Sequence, residues 1–88
     1  MKFDASVEKG IVESLTSALE KQTQNLGIVE AAATVTRDGQ PGFLVWHYVF
    51  HSEVSFVSES GQIESLYTSV GDEYAKNEYE RLKTEWTA

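Results

Sequence analysis

Eighty-eight residues carrying 14 acidic and 7 basic side chains make one small domain, residues 1–88, with a formal charge of −7. The sequence contains no cysteine, which excludes disulfide staples, thiolate catalysis, Cys-ligated zinc and iron–sulfur clusters. Hydrophobic residues at 41% and charged residues at 24% are ordinary for a globular domain and argue against disorder.

Residues 6–25 predict a helix. Val7, Ile11, Leu15, Ala18, Leu19 and Gln22 fall on one helical face. Asp4 or Ser6 can accept from its first free N–H groups, and Gly27 suits a left-handed cap at its end. Residues 28–36 alternate, which predicts a strand with Val29, Ala31, Ala33 and Val35 on one face. Residues 37–42 have the composition of a turn.

Residues 43–51 predict a second strand. Leu44, Trp46, Tyr48 and Phe50 share one face, and Phe43, Val45, His47, Val49 and His51 share the other. Pairing Thr36 with Phe43 sets Ala33 opposite Trp46 and Ala31 opposite Tyr48, so each large ring lies beside a small side chain. Residues 54–58 predict a third strand and residues 59–62 a hairpin turn. Residues 63–69 fit two patterns. Ile63, Leu66, Tyr67, Val70 and Tyr74 have helical spacing, yet the preceding Ser-Gly turn favours a strand over 63–67, which is the assignment taken. Residues 70–86 predict a helix burying Ala75, Tyr79, Leu82 and Trp86, with Ser69 and Asp72 spaced as a capping box.

The fold expected is α+β in the order α-β-β-β(-β)-α. An antiparallel meander of three or four strands carries the N-terminal and C-terminal helices on its ring-bearing face. That arrangement leaves the other face open.

Chemistry has few candidates. His47 and His51 on one straight strand stand roughly 13 Å apart, too far to share a metal. His51 and Glu53 make half a site without a third ligand. Gly39-Gln40-Pro41-Gly42 has the spacing of a nucleotide-clamping loop, but its position between two strands beside Asp38 makes it a turn. No dinucleotide fingerprint, phosphate loop or nucleophile elbow occurs. The expectation is a protein that is not an enzyme and holds no cofactor or metal. The helix–three strands–helix order resembles that of double-stranded RNA-binding domains. The basic helix start and loop residues of that family are absent here, so the likeness implies no function.

The charge pattern points the same way. Residues 28–70 hold Arg37 against five acids, which disfavours nucleic-acid phosphates and anionic membranes. No stretch approaches the roughly 20 apolar residues of a membrane span, and no signal-like run opens the chain. A cytoplasmic location is expected.

What remains is the outer face of the sheet. Phe43, Val45, His47, Val49 and His51, with Glu53, Val54 and Phe56, form its candidate interface, because an apolar patch on an uncovered face marks a contact surface. The function expected is a non-catalytic protein–protein interaction module, a homodimer or a binder of a larger protein. The alternatives are an acidic inhibitor that mimics nucleic acid in a basic groove, and a small enzyme or ligand carrier around His47, Tyr48 and Glu53.

Overall fold

A computed structural model describes residues 2–20 and 26–87. The turn that sets its sheet is Asp38-Gly39, with φ of 49° and 80° at the two positions. Two successive left-handed residues match the twist of a two-residue hairpin, and Asp-Gly is a preferred pair for it. The strands therefore run right up to the turn: β2 covers Ile28–Arg37 and β3 covers Gln40–Tyr48, with Arg37 paired to Gln40. The register is two residues tighter than the expected one, which had spent six residues on the turn. Ala33 now faces Leu44 and Ala31 faces Trp46, so small still lies beside large. A bulge between Val29 and Ala31 shifts the phase and turns Val29 toward the face of His47.

β4 covers Ser52–Ser58 and β5 covers Ile63–Ser69, which settles residues 63–69 as strand. A fifth strand, β1 (Lys2–Phe3), pairs in parallel with Ile28 and Val29 through Lys2 N–H to the Gly27 carbonyl and Asp4 N–H to the Val29 carbonyl. The sheet is thus five-stranded and mixed, in the order β1-β2-β3-β4-β5, and not a purely antiparallel meander. A two-residue strand has no periodicity to read.

The helices are α1 (Lys9–Leu19) and α2 (Asp72–Trp86). They lie on opposite faces of the sheet, which corrects the expected one-sided arrangement. α1 sets Leu15 and Leu19 on Val29, Phe43, Val45 and Val57. α2 sets Ala75, Tyr79 and Leu82 on Ala33, Val35, Leu44, Val54 and Phe56. The physical reason is in β3, whose two faces are both apolar, so each needs its own cover.

Local capping differs from expectation as well. Asp4 accepts from both the N–H and the hydroxyl of Ser6, forming a turn ahead of α1 rather than capping it. The predicted helical residues 21–25 lie outside the described residues. Gly27 is needed for close approach: its φ is 67°, and a Cβ there would stand 2.2 Å from the Tyr48 carbonyl oxygen. Ser69 takes the Gly71 N–H on its hydroxyl, so the expected box with Asp72 is not formed. Asp72 instead accepts from the Ser52 hydroxyl, and with Glu73 it places negative charge at the helix start, where the dipole favours it.

Candidate functional site

The eight residues expected to form one open face divide three ways. Phe43, Val45 and His47 do share a face, but α1 and the Leu26 segment cover it, leaving Val45 at 0% and His47 at 2% exposure. Val54 and Phe56 pair with Trp46 and Leu44 and so belong to the α2 face, where both are buried. The expected open apolar face is therefore core. Val49, His51 and Glu53 remain accessible, at the β3–β4 end of the sheet.

Glu53 gathers the polar side chains there. One carboxylate oxygen lies 3.2 Å from His47 Nε2, and the other lies 3.6 Å from His51 Nε2. That second oxygen also accepts from the hydroxyls of Ser65 at 3.1 Å and Thr68 at 3.3 Å. The two histidines meet around Glu53 because β3 ends at Tyr48 and the chain turns back. A straight strand through residue 51 would have kept them apart. No group of three metal-ligating side chains occurs among the described residues.

His47 is fixed by its partners. The Leu26 carbonyl, 3.0 Å from Nδ1, can only accept, so Nδ1 carries the proton. Nε2 then accepts from the Ser55 hydroxyl at 2.9 Å. Burial pushes the imidazole below its ordinary range. Glu53 and the Leu26 carbonyl pull the other way and His51 adds to the lowering. The closeness of Glu53 alone would suggest an ion pair, but desolvation outweighs it, so His47 is neutral at pH 7. Ser55 and His47 have the chemistry of a nucleophile and its base. With Ser55 at 0% exposure, no substrate atom can reach the hydroxyl.

A pH dependence follows. A neutral imidazole is the form the fold prefers, so its contribution is whole above about pH 6.5, the unfolded value. The contribution falls as pH drops below that, until the lowered folded value is passed. The slope from this one group is at most about 1.4 kcal/mol per pH unit. Denaturant melts at pH 7.5 and 5.5 should show the loss, and His47→Gln should flatten it. A His47 ring that titrates by NMR at or above 6.5 would contradict the assignment.

The second feature is apolar. The described residues include six exposed large apolar or aromatic side chains: Ile28, Tyr48, Val49, Phe50, Val70 and Tyr74. All six lie at one end of the sheet. Ile28 pairs with Tyr48, Val49 and Phe50 form the β3–β4 turn, and the Ser52–Ser69 pair brings Val70 beside that turn. Tyr74 follows in the first turn of α2. Phe50 is 87% exposed and Val70 fully so. Alternation carried through the turn puts Phe50 among the inward rings, whereas the structure turns it out to solvent. The signal that marks it is Tyr48-Val49-Phe50, an unbroken apolar run where a polar turn is ordinary.

No helix of the described residues is long and apolar enough to cross a membrane. No family model matches the sequence, and neither a curated protein nor a solved structure is found similar to it.

Proposed function

We propose that this chain is a non-catalytic protein–protein interaction module that docks through the apolar end of its sheet. The observation that carries the reading is the gathering of every exposed large apolar side chain among the described residues at that one end. Surface apolar residues scattered singly need no explanation, whereas a cluster of them does. Phe50, an aromatic at the tip of a turn, is the side chain best placed to enter a partner's pocket. This reading keeps the expectation of a partner-binding module and moves its surface from the sheet face to the sheet end. The net charge of −7 favours a partner with a basic rim and disfavours direct contact with nucleic acid. The cysteine-free composition is consistent with work in the cytoplasm.

Phe50→Asp tests the reading. The side chain is exposed, so the fold should survive with nearly unchanged Tm. Light scattering then reads the mass of wild type and variant at two concentrations. A wild-type dimer should become a monomer in the variant. If wild type is already a monomer, the end serves a different protein, and the variant should lose partners that wild type captures. An assembly or a partner retained undiminished by Phe50→Asp would sink the proposal.

A further inference from the structure

The outer edge of β2 is open. β1 pairs only with Ile28 and Val29, and from Glu30 to Arg37 no further strand adjoins that side among the described residues. A cleft of about 480 Å³ lies over this edge. Residues Ala31–Thr34 line its middle, Val7 and Glu8 bound it ahead of α1, and Tyr79, Glu80 and Lys83 of α2 bound it on the other face. The segment leading into α1, with Ile11 of that helix, on one face and α2 on the other make the two walls of a slot whose floor is a strand edge.

Three observations say what such a slot holds. First, an open strand edge presents backbone N–H and C=O groups that can template another strand. The far edge of the sheet is blunted by Glu64 and by a bulge at Leu66 within β5. The β2 run Ala31-Ala32-Ala33-Thr34-Val35-Thr36 has no charge and no proline. Second, the floor residues are small. Ala31 packs toward the α2 face and Ala32 toward the α1 face, so large side chains of an added strand have room on both sides. Third, the walls are acidic. Glu8 stands on one side and Glu80 on the other, while among the described residues that line the cleft the only base is Lys83, whose ammonium lies 5.9 Å from the Tyr79 ring centre.

From this we infer that the β2 edge accepts an extended segment of a partner protein, some four apolar or β-branched residues flanked by Lys or Arg. The segment continues the sheet where β1 leaves it. Backbone hydrogen bonds supply affinity, and Glu8 and Glu80 select the flanking bases. A second copy of this chain is a poorer occupant, since two copies at −7 each repel and would bring their own acidic walls together. The site is separate from the apolar end, and either can fail without the other.

The probe is a capped hexapeptide, Lys-Val-Thr-Val-Thr-Lys, added to the isotope-labelled full chain and followed by backbone amide shifts. Saturable shifts over residues 30–36 are expected. A peptide with Glu in place of both Lys should bind about tenfold more weakly, and one with a central Pro should not bind. Glu8→Lys with Glu80→Lys, both at exposed positions, should reverse the preference between basic and acidic peptides. The inference is overturned if β2 amides do not move at millimolar peptide, or if the acidic peptide binds equally well. Shifts at β5 or at residues 48–50 instead would also overturn it, the latter while leaving the apolar end standing. Concentration-dependent shifts at β2 without peptide would replace the partner segment by a second copy, and so overturn it too.

Discussion

Val45→Asp is expected to unfold the chain, whereas Val49→Asp, four residues away, should leave it folded. Val45 is 0% exposed and lies between Ala32 and Ser55 in the sheet, in the cluster that holds Leu15 and Leu19 of α1. A carboxylate there either stays charged among hydrocarbon or takes up a proton without a partner, at a cost of about 3–5 kcal/mol. A domain of this size has roughly 4–13 kcal/mol of stability in all. The loss should lower Tm by some 12 °C or more, or abolish the melting transition. Val49 is 37% exposed beside the β3–β4 turn, where a carboxylate keeps its water. Thermal melts by circular dichroism separate the two outcomes. A Val45→Asp variant that melts within a few degrees of wild type would mean that α1 does not close this face.

That contrast isolates what was legible in the sequence and what was not. The alternation of residues 28–36 and 43–48 could be read because strands with one small-residue face leave a period of two. The second helix could be read from Ala75, Tyr79, Leu82 and Trp86, all on its inner side. The placement of the first helix could not. Its apolar stripe is equally at home on either face of the sheet, and only the double-sided hydrophobicity of β3 decides between them. Val45 and Phe43 were visible as apolar but not as covered. The error at the site came from the same kind of ambiguity. Alternation continued through Val49, Phe50 and His51 puts Phe50 inside and His51 far from His47, but the chain is already turning there. Once the turn is there, His47, His51 and Glu53 converge, and Phe50 stands out in solvent. The bulge at Glu30 leaves no mark in composition. The hairpin is legible in the sequence, and a turn confined to Asp38-Gly39 yields the register observed.

Gly42→Ala, like the change at Gly27, should be among the most damaging single-methyl changes in the described residues. Gly42 sits between Val35 and Ser58 in the middle of the sheet. A Cβ there would stand 2.5 Å from the Val57 carbonyl oxygen and 2.6 Å from Cζ of Phe56. Neither neighbour can retreat cheaply. The carbonyl belongs to a strand held by hydrogen-bonded neighbours on both sides, and the ring is held by a ring of partners. Trp86 meets it edge-on with centroids 6.1 Å apart, and the Arg37 guanidinium lies 5.5 Å from its centre. Arg37 is itself 5.6 Å from the Trp86 ring centre and 2.8 Å from Glu64. Overpacking of this kind costs about 1–3 kcal/mol, and a backbone clash puts Gly42→Ala at the upper end. At 4–8 °C per kcal/mol, Tm should fall by roughly 10–25 °C. Phe56→Leu in the same chain should recover only part of the loss, because the carbonyl contact remains. The damage should also spread beyond β3. Arg37 links the end of β2 to β5 across the Phe56 ring, so displacing that ring frees the strand whose outer edge is open. Hydrogen exchange should therefore accelerate in β2 and in the last turn of α2 together. Acceleration confined to β3 and β4 would mean that Arg37 does not tie the two sides of the sheet.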